Sequence, residues 1–295
     1  MRKVLLASTA LVALGSVSAM AADISISGTS EFVLDMGDSA TADDSAFATE
    51  HDIAINFSQT SDSGITTSMT YGIDNTTNAA GIRADDLTVT ISGDFGALSY
   101  TGGNDDHALT AMDNEASGTA EENVGTVAGY TGGLAGIGDQ HITYTFPTIV
   151  AGLTVKASAG NNAGGEAASY AASYNAGVAT IVYGEVRGHT QTDTHVGVTI
   201  PVGAATVMLA QNSNDEAGED NTATLIGATY KVSDALTVGL ESDKGEDGTA
   251  ANDYTMTAFG ATYTIAPGLS ASITSAETDA DEDYNFTSIG LHVAF

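Results

Sequence analysis

The chain has no cysteine and no tryptophan, only three prolines in 295 residues, and seven lysines and arginines against 38 acidic residues. Each shortage excludes something. Without cysteine there are no disulfides and no thiolate nucleophile, so packing and hydrogen bonds hold the fold by themselves. A formal net charge of −31 excludes nucleic acid as a partner, because phosphate binding needs clustered cations. No apolar run reaches the roughly 20 residues that a membrane-spanning helix requires. So acidic a composition also suits disorder. A regular alternation of β-branched and aromatic residues argues against that.

Alternation is what the sequence does contain. Ile289, Leu291, Val293 and Phe295 are apolar, and Ser288, Gly290, His292 and Ala294 between them are small or polar. A period of two is a strand with one apolar face. An aromatic closing such a strand suits the lipid boundary of a membrane barrel. At the other end Arg2 and Lys3 precede an apolar stretch, Val4 to Val17, and the small-x-small site Ala19-Met20-Ala21. These are the three parts of a secretory signal peptide. The expected division is residues 1–21 as signal peptide and 22–295 as an outer-membrane β-barrel domain.

Sixteen strand segments are expected, beginning near residues 23, 51, 65, 85, 97, 141, 153, 167, 178, 193, 205, 222, 236, 253, 269 and 285. Each runs about ten residues, enough for a tilted strand to cross a bilayer. Their connections alternate between very short turns and longer acidic stretches, the longest from about Gly103 to Gln140. Pro147, Pro201 and Pro267 all fall in short connections, as expected of a residue that cannot donate to a ladder. The fold class that follows is all-β, a transmembrane antiparallel barrel of sixteen strands with both termini on the periplasmic side. The segment Ile226–Leu236 resembles Phe259–Leu269 and suggests a common hairpin unit. Phe146, Tyr174, Tyr230 and Tyr263 each stand shortly before a short turn, where an interfacial aromatic girdle belongs.

Most acids fall in the long connections. Within the expected strands stand Glu31, Asp35, Asp52, Glu185 and Glu241, with the bases Lys156, Arg187 and Lys231. Where the register is clear, the charge points away from the apolar face; Glu185 and Arg187 share a face of ambiguous register. A basic side chain against lipid at the midplane would cost roughly 2–4 kcal/mol. A wet, charged inner face is therefore expected, with Glu31, Asp52, Lys156, Arg187, Lys231 and Glu241 on its wall.

The signal peptide, Asp23-Ile-Ser-Ile-Ser-Gly28, the closing Ile289–Phe295 strand and the sixteen-strand layout together resemble a Gram-negative general diffusion porin of the alphaproteobacterial kind. The resemblance covers the whole mature chain. It implies a homotrimer in the outer membrane, in contact with lipid and lipopolysaccharide, that passes small hydrophilic solutes and ions by passive diffusion. It also implies that the long third loop, Gly103 to Gln140, folds into the lumen and forms the constriction with Asp105, Asp106, Asp113, Glu115, Glu121 and Glu122. The family faces that loop with an arginine cluster. Here only Arg83, Lys156, Arg187, Lys231 and Lys244 are at hand, so a negative lumen that favours cations is expected instead.

Other signals rank lower. Gly133-Leu-Ala-Gly136-Ile-Gly138 is followed by a strand rather than a helix and fails as a phosphate loop. Loop acids such as Asp279, Asp281, Glu282 and Asp283 offer oxygen ligands for calcium, without EF-hand spacing. No cofactor is required by any motif. His51, His107 and His141 lack metal-ligand spacing, and no G-x-S-x-G elbow or placed base supports an enzyme. The competing reading is a secreted, acidic, β-rich surface or adhesin protein that binds calcium.

Overall fold

The alternating segments form sixteen strands. In chain order they are β1 (Asp23–Gly37), β2 (Ala46–Thr60), β3 (Thr66–Thr76), β4 (Arg83–Gly93), β5 (Gly96–Gly102), β6 (Gln140–Thr145), β7 (Leu153–Asn162), β8 (Gly165–Asn175), β9 (Thr180–Arg187), β10 (Gln191–Val202), β11 (Ala205–Glu216), β12 (Glu219–Lys231), β13 (Leu236–Glu246), β14 (Tyr254–Ala266), β15 (Leu269–Thr278) and β16 (Tyr284–Ala294). The computed structural model describes residues 23–37, 46–76, 83–102, 107–110, 137–138, 140–162, 165–188, 191–216, 219–246, 253–279 and 284–295. Residues 1–21, the expected signal peptide, lie outside these.

Each strand pairs antiparallel with its sequence neighbours, and β1 pairs with β16, so the sheet closes into a barrel. Closure reaches the last residue. The Gly28 amide donates to the Phe295 carbonyl and the Phe295 amide donates to the Gly28 carbonyl, both at 3.0 Å. A closed ladder leaves no unpaired edge, which is what a sheet in lipid needs. The strands begin close to the expected positions, except that β2 starts at Ala46 and is, like β1, 15 residues long. The ladder continues past the apolar positions into polar ones, because backbone pairing needs no apolar side chain.

The seven short turns sit where the sequence indicates them. Six contain or adjoin a glycine at positive φ: Gly64 (78°), Gly96 (100°), Gly152 (83°), Gly177 (82°), Gly203 (64°) and Gly268 (75°). That region is costly for residues with a Cβ. The seventh, between Lys231 and Leu236, is held by a side chain instead. Ser233 Oγ accepts from the amides of Ala235 at 3.2 Å and Leu236 at 3.1 Å. The two similar hairpins are therefore closed by different means. Pro147 and Pro267 lie in turns, whereas Pro201 is the penultimate residue of β10, opposite Thr206. The last pairs before a hairpin turn need not all carry a ladder bond, and proline is tolerated there.

The outer face is apolar through most of its height. Ile24 and Ile26 on β1, Ile91 on β4, Leu98 on β5, Ile226 on β12 and Ile289 on β16 all point outward and are exposed. Phe146, Tyr174, Tyr230 and Tyr263 stand exposed near the short turns, and Phe146 packs edge-on against Tyr144 with ring centroids 4.8 Å apart. Towards the other end the outer positions turn polar: Thr192 and Thr194, Gln211 and Ser213, Ser242 and Lys244, Ser275 and Glu277.

The turn glycines differ in a way that can be measured. A Cβ on Gly152 would collide with the Asn175 carbonyl, whereas one on Gly177 meets nothing. Gly177→Ala should lose about 1–2 kcal/mol from the left-handed conformation alone. Gly152→Ala should lose clearly more. Equilibrium urea unfolding of the refolded barrels compares the two, and equal losses would contradict the collision.

Candidate functional site

The inner wall follows from the register. Partners across a ladder share a face, so each outward Ile or Tyr fixes its neighbours and the alternate positions point inward. Beyond Lys156 on β7, and on β8 and β9, the inward residues are small or short: Ser158 and Gly160, Ala167, Ser169 and Ala171, then Val182, Gly184 and Val186. This smooth stretch is covered from inside the barrel. His107, Ala108 and Leu109, at the start of the long connection, and Ile137, at its end, are fully buried against it. Ala108, Leu109, Ile137, Ala167, Ala171 and Val186 form one apolar cluster.

Hydrogen bonds complete the contact. The Ala108 amide donates to Ser158 Oγ at 2.8 Å, and the Leu109 amide donates to Ser169 Oγ at 3.0 Å. Ser169 Oγ also lies 2.9 Å from His107 Nδ1, and Ser158 Oγ lies 2.7 Å from Thr143 Oγ1. At the returning end His141 Nδ1 lies 3.2 Å from the Gly138 carbonyl oxygen. The long connection thus leaves and rejoins the wall inside the lumen, and its expected infolding is seen in both described ends. Asp105, Asp106, Asp113, Glu115, Glu121 and Glu122 lie outside the described residues.

In a ring of sixteen, β9 stands eight strands from β1. The seat on β7, β8 and β9 is therefore faced by β15, β16 and β1, and β2 and β3 continue that side of the barrel. Glu31 and Asp52 point inward there, joined by Asp35, Glu50 and Asp74. Carboxylate oxygens of Glu50, Asp52 and Asp74 lie within 4.8 Å of one another. Asp52 accepts from Thr29 Oγ1 at 3.2 Å, and Glu31 lies 3.3 Å from His292 Nδ1. β16, β1, β2 and β3 contain no lysine or arginine, and in the adjoining ladder Arg83 of β4 is the partner of Asp74. Glu50 precedes the expected start of its strand and Asp74 stands at the expected end of its own, so neither is on the expected wall; Asp35, also outside it, takes the inward parity expected of its strand.

The remaining expected wall residues divide. Lys156 points inward on β7, between Thr145 and Ala171. Glu241 points inward on β13 and is 8% exposed, with Asp243 two residues on accepting from the Tyr254 hydroxyl at 3.0 Å. Lys231 has an inward register but ends β12 at the short-turn rim, where it meets Asp234 at 3.1 Å.

Arg187 does not line the lumen. Its register places it outside with Glu185, with which it forms an ion pair, next to Tyr170 and Tyr183 on the same outer face. The reason lies on the inner face of β9, which must present Val182, Gly184 and Val186 to the loop. The charges take the other parity. They sit near the long-connection end of the strand, where a lipid-facing charge costs only about 0–1 kcal/mol.

This combination of a closed sixteen-strand barrel, an infolded long loop and a charged inner wall has known counterparts. The profile of the family described as Gram-negative porin matches residues 7–283. The chain belongs to the Gram-negative porin family. Among solved structures, a double variant of the Rhodopseudomonas blastica porin shares the fold at a TM-score of 0.72 and 18% identity, covering 92% of this chain and 100% of that one. A triple variant of the same porin gives a TM-score of 0.70 at 16% identity with the same coverage. Among curated proteins none matches this chain in sequence. A porin of this family is an outer-membrane protein, which accounts for the apolar outer band. The seven short turns then lie at the periplasmic end and the long third connection opens at the other, where, against expectation, the connections between β7 and β8, β9 and β10, and β11 and β12 are only two or three residues long.

Neutralising the outer pair as Glu185→Gln with Arg187→Gln should leave single-channel conductance and reversal potential at parental values in a planar bilayer. Lys156→Gln, on the inner wall, should move the reversal potential towards stronger cation preference. A shift from the outer pair as large as that from Lys156→Gln would contradict the register of β9.

Proposed function

We propose that the protein is a passive diffusion channel for small hydrophilic solutes and ions, with a preference for cations. The observation that carries the preference is the acidic stretch of inner wall on β1, β2 and β3. Glu31, Asp35, Glu50, Asp52 and Asp74 face the lumen from strands that contain no lysine or arginine. Charges within a Debye length of about 8 Å act on a permeating ion at physiological salt, so a one-signed wall enriches counter-ions. Asp105, Asp106, Asp113, Glu115, Glu121 and Glu122 would add the same sign from the loop side. Glu241 and Lys156 belong to the same lining, with Lys231 at its periplasmic rim.

The homotrimer, contact with lipopolysaccharide, and export under residues 1–21 with 22–295 as the mature barrel belong to this proposal on family resemblance. Passive diffusion requires no cofactor and no catalysis. Calcium at the outer loops remains part of the proposal at Asp279, Asp281, Glu282 and Asp283. Only Asp279 of these is described, and its carboxylate accepts from the Thr255 amide at 2.6 Å. The secreted adhesin reading is disfavoured, because a girdle of exposed isoleucine, leucine and tyrosine around a closed barrel would be left in water.

Reversal potential under a KCl gradient tests the preference. The parent should favour potassium. Glu50→Gln, Asp52→Asn and Asp74→Asn together should reduce the cation-to-anion permeability ratio roughly two-fold or more, by removing the cluster that draws the cation. An anion-preferring parent, or an unchanged ratio in the triple variant, would defeat the assignment.

A further inference from the structure

We infer that Leu109 is a peg and Gly184 its socket, and that this pair positions the long loop and thereby determines the free cross-section of the pore. The inference rests on the channel reading above. Gly184 stands in the middle of β9, where a glycine weakens a strand and asks for a reason. Its inward neighbours along the strand, Val182 and Val186, carry β-branched side chains and are buried. Only position 184 is empty, and Leu109 fills it. A Cβ built on Gly184 would collide with Leu109 Cδ1 and would also crowd the Tyr170 carbonyl oxygen.

Leu109 is itself fully buried, although it belongs to a connection rather than to the wall. Its amide is held by Ser169 Oγ and the preceding amide by Ser158 Oγ. The side chain and two main-chain bonds therefore converge on one place. The returning arm repeats the device. The Ile137 carbonyl lies over Gly160 of β7, where a Cβ would again collide. Both arms thus sit in depressions made by missing side chains, which brings their backbones as close to the wall as sterics allow. β1, with Glu31 and Asp35 on its inner face, stands across the lumen from β9, so any step of the first arm away from its seat narrows the passage.

A size swap tests this. Gly184→Val keeps good strand propensity and fills the socket. It should lift the arm and lower single-channel conductance by roughly one-third or more, since conduction follows the open cross-section. Leu109→Ala removes the peg and should broaden the distribution of conductance steps. The double variant Leu109→Ala with Gly184→Val fits the new side chain into the vacated space and should recover most of the parental conductance. If Gly184→Val alone fails to insert, insertion of the double variant supports the socket. Parental conductance in Gly184→Val, or a double variant no closer to the parent than Gly184→Val, would overturn the inference. A silent parent would instead overturn the channel reading.

Discussion

A polypeptide in a bilayer has no water to satisfy its amides and carbonyls. Every other feature of this structure follows from meeting that constraint with strands. Among the described residues no helix is long and apolar enough to cross a membrane. Strands satisfy it only as a ring, and the ring is completed by β1 and β16 through the paired main-chain bonds of Gly28 and Phe295. Once the ring is closed, side chains have two destinations, lipid or lumen, and each residue's parity decides between them.

Parity explains both the order and the exception. Along β1 and β2 the acids take the inner positions and the large aliphatic side chains other than Val33 the outer ones, and on β13 Glu241 and Asp243 face in while Glu246 faces out beside Lys244. Along β9 the rule inverts, and Glu185 and Arg187 face out. The inversion has a cause inside the barrel. The loop needs a dry, shallow wall to lie on, and Val182, Gly184 and Val186 supply it, with Ala167 and Ala171 of β8 beside them. Burying a loop against small apolar residues is favourable at about 25 cal/mol per Å² of apolar area removed from water. Pairing the two displaced charges with each other near the outer end of the strand keeps their exposure to lipid inexpensive.

The same division sets the electrostatics of the lumen. One side is lined by the loop seat, with Lys156 the basic residue that points inward among the described residues of β7 to β9. The other side carries five carboxylates on β1 to β3. In water the high dielectric reduces the repulsion of a pair at 4 Å to about 1 kcal/mol, so a wet lumen tolerates them. A packed core could not hold them. Function and fold therefore share one requirement, a barrel wide enough to stay wet.

The period of two, the turn glycines and the placement of bases against acids were enough to determine a sixteen-strand membrane barrel. These are local properties, and backbone geometry converts them directly into strands and turns. Glu31, Asp52, Lys156 and Glu241 had a readable inward parity for the same reason, since aliphatic neighbours marked the lipid side. Arg187 did not, because β9 carries Ile, Tyr and Val on both parities and only the loop on its inner face distinguishes them. Glu50 and Asp74 joined Asp52 through register between strands, which no single segment encodes. Leu109 looked like any loop residue until the closed ring placed Gly184 beneath it. The sequence by itself determined which segments cross the membrane; the tertiary structure decided which residues meet across the lumen, because those meetings depend on closure and on distances between strands far apart in the chain.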